Sequence, residues 1–163
     1  MIWKVLKKYL FMEGMKLNYI RLNSIKNTPS LCDGIGYRTV VFLQGCNIRC
    51  PGCHNQSTRD INGGNLIEID KLVEKLRTIS FNKKVTISGG EPLIQKEALL
   101  CLLEKIKDFD ICLYTSYELK DVPDEILSYI KYIKVGKYIK ELHTSVKPFV
   151  GSTNQEFLEV KHE

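Results

Sequence analysis

Nowhere does the sequence approach the roughly 20 consecutive apolar residues that a membrane-spanning helix needs. Lysines break the apolar run of the opening Met1–Met12 and no small-residue cleavage site follows it, so a secretory leader is not expected. These two absences point to a cytoplasmic chain with no membrane partner, and they make its six cysteines thiols first. Single-stranded nucleic-acid binding would need basic residues interleaved with stacking aromatics on one surface. That pattern is missing, because the tyrosines fall mostly in segments that read as core elements, and nucleic acid is not an expected partner. At 163 residues the chain is too short for a complete eight-unit barrel of about 250 residues, or for a second independent domain.

What is present fits one domain. A hydrophobic fraction of 44% supports an ordinary core, and the net charge of +5 is scattered along the chain as a solvated basic surface, compatible with an anionic ligand or an acidic protein partner. Residues 1–14 precede Met15 and the first strand-like run, and read as an N-terminal extension, disordered or helical. Residues 15–163 then form the single domain. Strands are expected over 17–22 and, more strongly, over Tyr37–Gln44. Ile69, Leu72, Val73, Leu76 and Ile79 fall at helical spacing, with Asp70 available as a cap and an end near Ser80. A buried strand over Lys84–Ser88 is broken by Gly89-Gly90, and a helix from about Glu97 to Phe109 follows. Asp110–Thr115 is the next strand, Pro123 suits the first turn of a helix through Ile130, and Tyr132–Val135 is a further strand. Alternation of this kind implies right-handed βαβ units and a parallel sheet with ligands at the carboxyl ends of its strands. The fold class is therefore α/β, a partial, open barrel on a parallel sheet. The turn Asn62-Gly63-Gly64-Asn65 is the one loop that reads as markedly flexible.

Gly45-Cys46-Asn47-Ile48-Arg49-Cys50-Pro51-Gly52-Cys53-His54-Asn55 sets three thiolates in one loop, separated by three and two residues. Soft thiolates on a tight loop suit an iron-sulfur cluster or zinc. Structural zinc normally takes a fourth ligand, yet a second cysteine pair at the usual distance is missing, and His54 follows Cys53 too directly to serve easily. A [4Fe-4S] cluster on three cysteines keeps one iron open for a small molecule. A dithiol pair of Cys50 and Cys53 is the third reading, and it leaves Cys46 unexplained. Cys101 and Cys112 lie in apolar runs and read as small core residues.

Ser88-Gly89-Gly90-Glu91-Pro92 is the second motif, at the carboxyl end of an expected strand. Two glycines let the backbone approach a ligand closely and offer peptide groups to an ammonium or carboxylate. An ordinary strand-to-helix turn would look the same, so the motif gains weight from its place on the same sheet face as the cysteine loop.

With both motifs in this order, the sequence resembles the radical S-adenosylmethionine superfamily, and more narrowly the activating enzymes of anaerobic (class III) ribonucleotide reductases. The resemblance runs from about 17 to 160, through Asp33–Arg38, Gln44–Cys46, Gly52–Asn55, Asn62–Gly64, Tyr114–Tyr117 and Gly151–Gln155. Many superfamily members have an aromatic residue where this chain has Gly52; glycine at that position resembles the reductase activators and narrows the assignment to them. Lys134-Val135-Gly136-Lys137-Tyr138 stands where many activators have an acid before the glycine.

The resemblance implies an oxidoreductase in which Cys46, Cys50 and Cys53 hold a [4Fe-4S] cluster and S-adenosylmethionine chelates the open iron. It implies that Ser88, Gly89, Gly90 and Glu91 bind the methionine end of that cofactor, and that Gly52, Cys53 and His54 lie near its adenine. Reductive cleavage would then yield a 5′-deoxyadenosyl radical that takes a hydrogen from one glycine of the large reductase subunit. No side chain beyond the cluster and cofactor is needed as catalyst. The electron donor would be a protein such as flavodoxin or ferredoxin. His54 is expected at the cofactor edge or hydrogen-bonded within its loop, and Tyr114 and Tyr117 line the cavity or pack. His143 and His162 receive no role. Activation of another glycyl-radical enzyme, or a non-catalytic zinc or thiol redox module, are the alternatives. Such other activators often carry further cysteines, and none occurs here between Cys53 and Cys101.

Overall fold

Period-two alternation in the strands sorts side chains onto two unlike faces of a sheet, and this sorting positions the site. A computed structural model describes residues 18–26 and 28–162; the expected extension over 1–14 lies outside the described residues. The strands are β1 (Tyr19–Ile25), β2 (Thr39–Leu43), β3 (Asn65–Glu68), β4 (Lys84–Gly89), β5 (Asp110–Tyr114), β6 (Tyr132–Val135) and β7 (Glu156–Glu159). The helices are α1 (Ile69–Ile79), α2 (Lys96–Lys105) and α3 (Asp124–Leu127). The strands form one sheet in the order β3-β1-β2-β4-β5-β6-β7.

At the centre β2, β4, β5 and β6 run parallel, as the βα alternation implies. The edges correct the expectation of a purely parallel sheet: β1 is antiparallel to both β2 and β3, and β7 is antiparallel to β6. The connections from β1 to β2 and from β6 to β7 contain no α-helix to carry the chain back across the sheet, so it reverses and pairs antiparallel.

Val85 and Ile87 of β4, Ile111 and Leu113 of β5, and Ile133 and Val135 of β6 share one face. They pack with Leu72 and Leu76 of α1, Leu99, Leu102 and Leu103 of α2, and Ile126 of α3. Each such side chain, fully buried, contributes about 1.5–3 kcal/mol. The intervening residues Thr86, Ser88, Cys112, Tyr114, Tyr132 and Lys134 fall on the opposite face. Arg38, 0% exposed, organises that face. Its Nε donates to Thr86 Oγ1 at 2.9 Å, and Nη2 donates to Val85 O and to Asp110 Oδ1, each at 2.9 Å. Nη1 donates to Ile35 O at 3.1 Å, which holds the β1–β2 connection against the sheet.

Several local expectations shift. α1 has the expected bounds, but the residue before it is Glu68, which makes no side-chain cap, while Asp70 sits in the first turn and pairs with Lys105 of α2 at 2.7 Å. α2 stops at Lys105 because the chain must turn into β5, leaving Ile106 and Phe109 buried outside the helix. α3 is a single turn. The Asn62–Asn65 turn is tied to β1, since Arg21 Nη1 donates to Asn62 O at 3.1 Å and Gly63 O at 2.9 Å. Cys112 is buried, which pushes its thiol up to about 12, and Cys101 is half-buried against the core. Among the described residues no helix is long and apolar enough to cross a membrane.

Candidate functional site

The carboxyl ends of β2 and β4 meet through two glycines. Gly89 has φ +119°, and a Cβ there would run into the backbone of Leu43, while one on Gly90 would run into Gly45 O. Their absence lets Gly90 N donate to Leu43 O at 3.1 Å and Glu91 N donate to Gly45 O at 2.9 Å. The cysteine loop is thus sewn to the end of β4. It is fixed further by Gly45 N to Thr58 O at 2.7 Å, Cys46 N to Arg59 O at 3.2 Å, and Arg59 Nη2 to Cys50 O at 2.7 Å. Asn55 Nδ2 closes the seam, donating to Gly89 O at 3.3 Å.

Cys46, Cys50, Cys53, His54, Ser88, Gly89 and Gly90 line one cleft at this seam. Two residues predicted to bind the cofactor do not line it. Gly52, at φ +71°, lies against the chain that follows β6, where a Cβ would be 3.3 Å from the side chain of Lys140. Glu91 is 1% exposed and turned inward. Its Oε1 accepts from Leu93 N at 3.1 Å and Thr115 Oγ1 at 2.7 Å, and its Oε2 accepts from Ser116 N at 2.8 Å. Burial pushes this carboxyl upward, against the three hydrogen bonds that favour its charge. Glu91 therefore locks the exit of β4 to that of β5, beneath the cleft.

The cleft's electrostatics suit an anionic group. Among the described residues no aspartate or glutamate lines it, while Arg59 and Lys134 do. Lys134 Nζ lies 4.3 Å from the ring centroid of Tyr114, its cross-strand neighbour, and burial lowers its pKa. Burial likewise raises the Cys46 thiol, which donates to Ile48 O at 3.0 Å. Among the described residues the buried side-chain polar atoms without a partner are Arg59 Nε and Tyr114 Oη, and both residues line this same cleft. Also among the described residues, no three cysteine, histidine or carboxylate side chains are grouped so as to hold a single metal ion, although all three thiols line the cleft. Soft thiolates, flanking cations and two orphaned polar atoms fit an iron-sulfur cluster with a polar organic cofactor beside it.

The sequence did not single out Arg59, marked Gln155 only as the end of the Gly151–Gln155 segment of the resemblance, and marked Lys134 and Tyr138 only as part of an unusual segment; all four line the cleft. Period-two counting from Tyr132 was the available signal for Lys134. Tyr114 is in the cleft wall, whereas Tyr117 Oη accepts from Asn47 Nδ2 at 2.9 Å. His54 has ring neighbours in Tyr138 and His143, at centroid distances of 5.8 and 6.3 Å. His143, left without a role by the sequence, therefore belongs to the rim, while His162 approaches Ile130 O at 3.0 Å, away from the site.

Comparison with known proteins points the same way. The family described as a 4Fe-4S single cluster domain matches residues 32–158. The anaerobic ribonucleoside-triphosphate reductase-activating protein of Enterobacteria phage T4 is 35% identical over 136 residues, spanning 76% of this chain and 86% of the relative. The pyruvate formate-lyase-activating enzyme of Clostridium pasteurianum is 42% identical over 93 residues, spanning 54% of this chain and 39% of the relative. The crystal structure of QueE from Escherichia coli superposes with a TM-score of 0.52 at 18% identity, covering 71% of this chain and 69% of that one, a likeness of fold.

Proposed function

The chain belongs to the 4Fe-4S single cluster domain family and, within it, to the anaerobic ribonucleoside-triphosphate reductase-activating proteins, and from this we propose that it generates the glycyl radical of an anaerobic ribonucleotide reductase. The observation that carries the reading is one cleft, lined among the described residues by no aspartate or glutamate, whose wall holds Cys46, Cys50 and Cys53 together with Gly89 and Gly90. Cys46, Cys50 and Cys53 are the ligands of a [4Fe-4S] cluster. Ser88, Gly89 and Gly90 would offer backbone and hydroxyl groups to the methionine end of S-adenosylmethionine, and Cys53 and His54 would serve its adenine side, with Gly52 beside Lys140 in the same loop. When bound, the cluster supplies the single electron that cleaves S-adenosylmethionine reductively, so that a hydrogen atom is taken from a glycine α-carbon of the reductase. Glu91 keeps the two strand exits in register, and the Arg59 and Lys134 cations offset the negative charge of the thiolate-bound cluster.

The parallel centre of the sheet is read as a partial, open barrel of the radical S-adenosylmethionine type, whose open side admits a protein substrate. The working compartment is the cytoplasm, in keeping with six free thiols. The electron arrives from a flavodoxin or ferredoxin.

A second reading, activation of a pyruvate formate-lyase, is favoured by the higher identity over 93 residues. It accounts for only 39% of that relative, against 86% of the reductase activator. One experiment separates them. The reconstituted protein, dithionite and S-adenosylmethionine are mixed anaerobically with purified reductase or purified pyruvate formate-lyase, and a glycyl radical is sought by electron paramagnetic resonance. Signal on the reductase alone supports the proposal, and signal on the lyase alone replaces it.

A further inference from the structure

The connection from β6 to β7 leaves the cleft and returns to it. Tyr138 and Gly151 both line the cleft, and between them Lys140 packs against Gly52 and His143 faces His54. Residues 137–147 therefore form the rim on the cysteine-loop side. Backbone hydrogen bonds fix this rim: Leu142 N to Ile139 O at 3.1 Å, Thr144 N to Gly151 O at 3.0 Å, and Thr153 N to Leu142 O at 2.8 Å. Although fixed, it holds apolar side chains out to solvent, with Val146 91%, Leu142 41% and Ile139 36% exposed. Ile139 and Leu142 bracket one 3-10 turn, where side chains three apart lie one above the other.

The charges around these residues are unbalanced. Lys137 and Lys140 are exposed, and neither forms an ion pair among the described residues. Lys147 is occupied with the carbonyls of Thr153 and Gln155, and Glu141 is the one acid of the rim. Single exposed apolar residues need no explanation, but an ordered turn presenting several of them among free lysines at the mouth of a reaction cleft marks an interaction surface.

We propose that the rim over residues 137–147 is the docking surface for the glycine-bearing protein, and that it receives a partner segment in which acidic side chains flank apolar ones. This rests on the reading of a protein substrate given above. A hydrogen atom can leave the partner's glycine only if that α-carbon enters the cleft, so the partner must cover the mouth. Among the described residues, the rim is a part of the mouth where unpaired lysines and exposed apolar side chains stand together. Acidic groups answer Lys137 and Lys140, and apolar side chains cover Ile139, Leu142 and Val146.

The test uses the reconstituted protein and two variants, Lys137→Glu/Val146→Asp and Leu142→Asp, with purified anaerobic reductase as the probe. One readout is 5′-deoxyadenosine formed without reductase, which needs only the cleft. The other is the rate of glycyl-radical formation on limiting reductase. Both variants should keep the first within about twofold and lose the second at least about tenfold, and the double variant should also show a shallower dependence of radical formation on salt. Wild-type radical yields in both variants would overturn the docking surface and leave the function standing. Equal loss of both readouts would overturn it as well, since the rim would then serve the cofactor rather than the partner. Wild-type protein that cleaves S-adenosylmethionine yet makes no radical on reductase would overturn the functional reading, and the docking surface with it.

Discussion

Glu91 belongs to a motif whose glycines edge the cleft, yet its carboxylate is used in the fold, and Glu91→Gln separates the two roles. In the wild type Oε1 accepts two hydrogen bonds and Oε2 one, all from within the protein. Glutamine keeps the shape but turns one acceptor into a donor. The better orientation keeps the amide oxygen toward Leu93 N and Thr115 Oγ1 and sets the amide NH2 against Ser116 N, leaving a buried donor facing a donor. A lost hydrogen bond with an unsatisfied buried partner costs about 1–3 kcal/mol. Anaerobic urea unfolding should show that loss at pH 7. Binding of S-adenosylhomocysteine to the reconstituted protein should weaken only modestly, because Glu91 does not line the cleft. The pH profile adds a sign. Burial raises the folded Glu91 pKa above its ordinary 4.5, so the linked stability is full below that value and is lost as pH rises through the folded pKa. Wild type should therefore lose stability relative to the glutamine variant on going upward through that window. A variant as stable as wild type that no longer binds S-adenosylhomocysteine would refute the reasoning, since the carboxylate would then be a ligand contact.

Gly90→Ala should separate the cysteine loop from β4, because the added Cβ meets Gly45 O; cluster uptake per chain should fall severalfold when iron and sulfide are counted after reconstitution. Arg38→Lys should cost about 3–5 kcal/mol in urea unfolding, since lysine cannot satisfy Thr86, Val85, Ile35 and Asp110 together and leaves buried groups unpaired. Gly52→Phe should strain a left-handed backbone position and press on Lys140, lowering thermal stability by several degrees in a calorimetric scan.

The central fold was legible because its signals are local and repeated. In Lys84-Val85-Thr86-Ile87-Ser88 the apolar and polar residues alternate, and in the structure they separate into the helix-covered face and the cleft-bearing face. β3 and β7 escaped notice because each has four residues and neither is fully buried, too little for alternation to register. The site was legible where it is built from backbone and thiols in short loops. It was obscure where side chains distant in sequence converge: Lys134 and Arg59 reach the cleft from separate segments. Glu91 shows the converse limit, since adjacency to two cleft glycines says nothing about which way its own side chain turns.

The account rests on the three thiols acting as one cluster site, and its most direct test is anaerobic reconstitution with iron and sulfide, followed by dithionite and S-adenosylmethionine and chromatography for 5′-deoxyadenosine. The account predicts product from wild type and from Cys101→Ser, and none from Cys50→Ala. Uptake of one zinc and no cluster, or product that persists without Cys50, would contradict it.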